Sequence, residues 1–181
     1  MKNKLIVILG PTASGKTSLA VNLAYITNSE IISADSRQIY QGMDIGTGKD
    51  LSEYIINNKK IPYHLIDILK PIQDYSVFEF NKNFFQCYDL LKEKNKNIIL
   101  CGGTGLYIES VLLEYNIPNI SPDKKLRVFY EGYSMNDLII ELKKINQTVY
   151  DPDFHLTKRR LIRTIEILKN KSSNNKVNSL R

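Results

Sequence analysis

Eight consecutive residues, Gly10-Pro11-Thr12-Ala13-Ser14-Gly15-Lys16-Thr17, satisfy GxxxxGK(S/T), the spacing at which a chain can close around a phosphate. Glycines let the backbone curl so that successive N–H groups point inward, the N-terminus of a following helix adds positive potential, and Lys16 adds a full charge. Gly10, Thr12, Ala13, Ser14, Gly15, Lys16 and Thr17 are therefore expected to hold a diphosphate or triphosphate, with the Thr17 hydroxyl on Mg2+. An ordinary glycine-rich turn between a strand and a helix is the alternative.

Three further groups of residues could add chemistry to such a loop. Asp35, in Ile32-Ser33-Ala34-Asp35-Ser36-Arg37-Gln38-Ile39-Tyr40, follows an apolar stretch and can act as a general base beside a transferred group; a helix cap or turn aspartate is the competing role. Arg37, Gln38 and Tyr40 suit an adenine edge, although an exposed loop of this composition is equally ordinary. In Gly102-Gly103-Thr104-Gly105 the glycines permit close approach of a ligand and Thr104 offers a hydroxyl to a phosphate oxygen, or else the stretch is a tight turn with a capping threonine. A conventional ATPase would carry an aspartate at that strand end, and none stands here. Arg159, Arg160 and Arg163 share one side of a late helix, where they can grip phosphate or form a solvated face with Arg163 paired to Glu166. Asp67 is open between a carboxylate near Mg2+ and a turn or ion-pair role, and His64 and His155 are expected to be structural.

The elements that must position these residues follow from apolar periodicity. Leu5 to Leu9 is a continuous apolar run of the kind that forms a strand buried on both faces. Ser18 to Ile26 is predicted as a helix with Leu19, Leu23 and Ile26 inward, Ile31 to Ala34 as a second strand, and Tyr63 to Ile68 as a third. Val77 to Lys94 is predicted as a long helix with Phe78, Phe84, Phe85, Tyr88 and Leu91 inward, followed by a strand from Asn97 to Cys101 and a helix from Leu106 to Leu113. Strands alternating with helices imply an α/β fold, a doubly wound parallel sheet like that of P-loop NTPases, with the ligand at the strand C-terminal ends. Pro118 and Pro122 interrupt the pattern, and helices from Met135 to Ile145 and Thr157 to Leu168 make a small C-terminal helical appendage. The expected organisation is a P-loop core over 1–114, a helical segment over 115–169, and a disordered tail over 170–181 rich in Asn, Ser and Lys.

Composition bounds the answer. With 43% hydrophobic residues, 24% charged residues and no apolar run long enough to cross a bilayer, the 181-residue chain reads as soluble, cytoplasmic and able to bury a core. Cys87 and Cys101 lack metal-ligand spacing and are expected to be buried reduced thiols. The net charge of +6 favours contact with phosphate backbones, although a solvated basic surface accounts for it as well.

Taken together, GPTASGKT, ISADSRQIYQGMDIGTGK, HLIDI, YSVFEF, LCGGTGLYI and RRLIRTIE resemble the tRNA dimethylallyltransferase family, also called tRNA isopentenyltransferases, in the family's order over most of residues 5 to 168. The resemblance implies that dimethylallyl diphosphate occupies the loop and that the acceptor is the exocyclic amine of the adenosine immediately 3′ of the anticodon in tRNA. By motif, Lys16 would bind the diphosphate, Thr17 the Mg2+ and Thr104 a further diphosphate oxygen. Asp35 would take the amine proton. Ser36, Arg37 and Gln38 would read a flipped-out base, and Arg159, Arg160 and Arg163 would contact the tRNA anticodon stem-loop. A monomer is expected. Members usually continue through a helical stretch with a KRQxTWxR-type motif, which is absent here, so a truncated or reduced tRNA-binding region is expected. A small-molecule P-loop kinase, a prenyltransferase acting on free adenine nucleotides and a non-catalytic RNA-binding remnant are the competing functions.

Overall fold

Leu5–Leu9 forms β1, the turn at 10–15 leads into α1 (Lys16–Thr27), and Ser29–Ser33 forms β2, in a computed structural model that describes residues 4–178. A one-turn 3-10 helix, Leu51–Tyr54, precedes a two-stranded hairpin of β3 (Ile55–Ile56) and β4 (Lys59–Lys60). Asn57 and Asn58 both have positive φ, 50° and 60°, which suits the tight turn that lets antiparallel strands keep their twist. β5 is only Tyr63–His64, because Leu65 and Asp67 take φ of 61° and 55° and end the predicted strand early. α2 (Val77–Glu93) starts at a reciprocal cap in which Ser76 Oγ accepts from Glu79 N–H and Glu79 Oε2 accepts from Ser76 N–H. β6 (Asn97–Gly102) and α3 (Gly105–Leu112) complete the first unit.

All pairings in the main sheet are parallel, and the strand order is β1-β6-β2-β5. β6 thus lies between β1 and β2, so the phosphate loop and the Asp35 loop are separated by the Gly102-Gly103-Thr104 turn, an order that nothing in the linear sequence specifies. Alternation in β6 sends Ile99 and Cys101 toward α1, and Ile98 and Leu100 toward α2 and α3. Ile98, Ile99 and Leu100 are completely buried, each worth about 1.5–3 kcal/mol relative to exposure.

Two inward faces differ from expectation. α1 buries Ala20, Val21 and Ala24 and packs Leu23 against the same cluster as expected, but leaves Leu19 and Ile26 exposed, Ile26 by 78%. α2 buries Phe80, which stacks on Tyr107 at 4.2 Å, along with Phe84 and Leu91, while Phe78 stays half-buried.

Two compact units span Met1–Ile117 and Pro118–Arg181. The second comprises α4 (Lys124–Glu131), which the sequence reading lacks, α5 (Met135–Ile145) and α6 (Lys158–Asn178). Tyr130, Leu138, Leu142, Leu161 and Ile165 form its core. α6 runs on past Leu168, where the sequence reading places the start of a loose tail at residue 170; residues 179–181 of that tail lie outside the described residues. No helix among the described residues is long and apolar enough to cross a membrane.

Candidate active site

The turn between β1 and α1 has the conformation an anion cradle requires. Ala13 and Gly15 take φ of 60° and 77°, left-handed positions of the kind that let a chain curl around an anion. Lys16 and Thr17 open α1, and the Lys16 ammonium donates to Pro11 O and, at 3.5 Å, to Ser14 Oγ. The cation is thereby held across the mouth of the loop.

A cleft of about 510 Å³ brings this loop together with Asp35, Gln38 and a glycine-rich wall over residues 44–50. Thr12, Ala13, Ser14, Gly15, Lys16, Thr17 and Asp35 all line it. Asp35 Oδ1 accepts from Arg37 N–H at 2.9 Å, so the carboxylate does make the turn that was its competing role. That turn leaves Oδ2 without a hydrogen bond among the described residues, on a side chain that faces the cleft. Arg37 reaches from the same loop to Thr12 Oγ1 at 3.4 Å and ties it to the cradle.

The Thr104 turn and the Asp35 loop are stitched together. Ala34 N–H donates to Cys101 O, Thr104 N–H to Ala34 O, and Ser36 N–H to Thr104 Oγ1 at 3.0 Å. Thr104 caps α3 by position with no side-chain cap bond, and its hydroxyl lies 3.3 Å from Ser36 Oγ. Gly102 lines the cleft and is required by the chain itself: a Cβ there would stand 2.2 Å from Ala34 O. Cys101 packs behind the cradle with Sγ 3.7 Å from Lys16 O, and burial pushes its thiol up to about 11; Cys87 is likewise raised to about 11 by burial. Neither thiol is a nucleophile at neutral pH.

Residues of Gly42 to Asp50, which the sequence marks only as part of the motif ISADSRQIYQGMDIGTGK and gives no role, build the facing wall. Lys49, 1% exposed at its side chain, donates to Tyr40 O at 2.9 Å and pairs with Asp44 at 2.7 Å and with Asp67. Burial alone would lower its pKa, but hydrogen bonds to Asp44 and Asp67 outweigh burial and hold it above its ordinary value. Asp67 therefore takes the ion-pair role and not the metal role. Gln38 donates to Gly48 O at 3.1 Å and accepts from Ser33 Oγ, which anchors the wall to β2. The available signal was Gly42, Gly46 and Gly48, all at positive φ, around one lysine and two aspartates.

The late arginines do different work. Arg163 donates to Glu166 Oε2 at 2.9 Å and to Ile120 O at 2.7 Å, and Arg127 donates to both oxygens of the same carboxylate. Asp123 N–H supplies a further bond to Glu166, which is fully buried. Burial would raise the Glu166 pKa, but these donors outweigh it and hold the group below its ordinary value. Arg160 donates to Phe154 O and lies over the Phe154 ring, while Arg159 is exposed on the same helix. His64 pairs with Glu30 and buried His155 bonds Thr164 and Asp151, both structural as expected.

The chain is similar to known proteins. The family described as IPP transferase has a profile that matches residues 38–180. The chain is 51% identical over 163 residues to tRNA dimethylallyltransferase 2 of Bacteroides fragilis, covering 90% of this chain and 53% of that protein. A relative of the same name from Phocaeicola vulgatus is 50% identical, with 92% and 54% covered. Among solved structures, the full-length tRNA isopentenylpyrophosphate transferase of Bacillus halodurans is similar at a TM-score of 0.60 and 38% identity, covering 93% of this chain and 56% of that one. A eukaryotic dimethylallyltransferase acting on tRNA is similar at a TM-score of 0.74 and 26% identity, with 91% and 41% covered. The chain spans about half the length of the relatives it matches. With its profile match running from Gln38 nearly to its end and half of its aligned residues identical to named members, the chain belongs to the tRNA dimethylallyltransferase, or IPP transferase, family.

Proposed function

We propose that the chain transfers a dimethylallyl group from dimethylallyl diphosphate to the exocyclic amine of the adenosine 3′-adjacent to the anticodon in tRNA. The observation that supports this reading is that the phosphate loop with Lys16 shares one cleft with the Asp35 carboxylate. The allylic C–O bond breaks and the diphosphate leaves with its electron pair, while the amine nitrogen bonds the allylic carbon and gives its proton to Asp35. Lys16 and the loop amides stabilise the charge on the leaving group. An amine conjugated to adenine is a weak nucleophile and gains from the nearby base.

Mg2+ fits the cleft in one way. No cluster of three His, Cys, Asp or Glu among the described residues could hold it alone, so Thr17 would share it with donor oxygens and water, as the ion commonly prefers. Once held, it would neutralise charge on the diphosphate. Gln38 keeps a second amide N–H for the acceptor base after donating to Gly48 O. Thr104 holds the loop that carries Asp35 by accepting from Ser36 N–H, and by its motif its hydroxyl is assigned to a further diphosphate oxygen. The exposed Arg159 is the arginine suited to an RNA phosphate.

Incubation with labelled dimethylallyl diphosphate, Mg2+ and a stem-loop carrying the target adenosine, followed by nucleoside mass analysis, tests the reading. Product is expected, and Asp35→Ala is expected to lower turnover by about 10²–10⁴-fold with donor affinity kept. Undiminished turnover in that variant removes Asp35 as the base.

A further inference from the structure

Lys49 carries a full charge at a position 6% exposed, and no step of the transfer uses it. An ammonium has three protons to donate, and all three are taken: Tyr40 O accepts at 2.9 Å, and carboxylate oxygens of Asp44 and Asp67 accept the others. Lys49 therefore has nothing left for a diphosphate or a base. Asp44 and Asp67 keep 66% and 31% of their side chains exposed, so the lysine, and not its partners, is the buried member of the group.

What the lysine holds can be followed bond by bond. The Asp67 carboxylate meets Lys49, and Asp67 N–H donates to Gln38 O at 3.1 Å. Gln38 Nε2 donates at 3.1 Å to the Gly48 carbonyl, which belongs to the peptide bond that joins Gly48 to Lys49. These links close a ring, from Lys49 to Asp67 to Gln38 and back to Gly48, in which the Lys49–Asp67 pair is the charged link. Beside the ring, Gln41 Nε2 donates to Asp67 O at 2.9 Å and Gln41 N–H to Leu69 O at 2.8 Å. The wall so held has little stiffness of its own, since Gly42, Gly46 and Gly48 all take positive φ. Among the described residues, the hydrogen bonds that tie 42–49 to the rest of the first unit are made by Gln38 and Lys49.

The loop from Asp35 to Gln38 is thus held differently at its two ends. At Ala34, main chain bonds main chain through Cys101 O and Thr104 N–H. At Gln38 the hold depends on side chains, with Gln38 reaching Ser33 and Gly48 and Asp67 reaching Lys49. We propose that Lys49 is a positioning residue for the acceptor: through Asp67 and Gly48 it fixes Gln38, and with it the far end of the loop that carries Asp35, so that the second Gln38 amide N–H meets the adenine. Lys49 itself touches neither substrate. The identity of the acceptor rests on the transfer reading, whereas the ring of bonds does not.

The test compares Lys49→Met with the parent, assayed well below the variant's melting temperature. Turnover of the stem-loop is expected to fall by about tenfold to a hundredfold, as for a misplaced reacting group, while pyrophosphate affinity by calorimetry stays within about twofold. The loss should vanish without Gln38: on a Gln38→Ala background, Lys49→Met is expected to cost less than about twofold further, since substitutions acting through one contact do not add. Costs that multiply independently overturn the proposal. So does a folded Lys49→Met chain with full turnover, the result expected of a lysine that only adds stability. Amide spectra supply a readout that needs no turnover. The Gln38 side-chain proton donated to Gly48 O should exchange more slowly than its neighbour in the parent, and the two should exchange alike in Lys49→Met while pyrophosphate still shifts the phosphate-loop amides. Unchanged Gln38 signals overturn the proposal even if the parent transfers nothing; a parent without product whose Gln38 signals respond as expected counts against the transfer reading alone. If Lys49→Met does not fold, Asp67→Asn, which removes the charge and keeps the main-chain bonds, carries the same expectations at smaller size, and the same results overturn them.

Discussion

The P-loop cleft of the first unit and the arginine cluster of the second place cations in opposite circumstances. Among the described residues Lys16 has only carbonyl and hydroxyl oxygens within hydrogen-bonding reach, so its charge remains to be met by an anion. Arg127 and Arg163 converge on Glu166, whose carboxylate answers both of them inside the helical unit. The contrast teaches that a run of basic residues is a binding patch only where the fold has withheld the counter-charge. Within the first unit Lys49 repeats the second pattern, since Asp44 and Asp67 surround it and make it part of a wall.

Removing the counter-charge breaks the contrast most severely. Glu166→Ala leaves two guanidinium groups facing each other and is expected to cost the helical unit about 3–5 kcal/mol, read by chemical denaturation, with pyrophosphate affinity unchanged. The same carboxylate gives a pH signature. Its folded pKa lies below the ordinary 4.5, so its stabilisation is present above that value and is lost as pH falls through the depressed one. Acid unfolding of the helical unit should therefore shift to higher pH in Glu166→Gln, and an unchanged acid transition would remove the carboxylate as its cause.

The opposite deletion should leave the fold alone. Lys16→Ala is expected to weaken transfer by about 10²–10³-fold while the melting temperature stays near that of the parent, because no carboxylate is left unpaired. Calorimetric binding of pyrophosphate and a thermal melt separate the two readouts. A large loss of stability would mean that the lysine is structural like Lys49.

The smallest effect sharpens the comparison inside the arginine run itself. Arg159→Ala is expected to reduce the slope of log affinity for tRNA against log salt by about one, with no change in stability. Equal slopes for the parent and the variant would place the RNA contact elsewhere.

What could be read from the sequence was what is local. β1, the phosphate loop and the capped start of α2 depend on neighbours a few positions away, and they form where the pattern puts them. The Arg163–Glu166 pair, three residues apart, was visible as an alternative for the same reason. Contacts between distant positions were not legible: Arg127 meets Glu166 across 39 positions and Lys49 meets Asp67 across 18. The inward face of α1 was misread in part because periodicity favours the largest apolar residues. The sheet instead accepts Ala20 and Ala24, and leaves Leu19 and Ile26 outside. The insertion of β6 between β1 and β2 is a property of topology, and it decides which loops become neighbours.

The contact between Gly102 and Ala34 has a consequence for how this site can diverge. Because main chain meets main chain there, the separation of the Asp35 loop from the end of β6 contains no side-chain length that a substitution could adjust. Exchanges along the Gly42 to Asp50 wall can then alter what the cleft admits without moving the Asp35 loop off the end of β6.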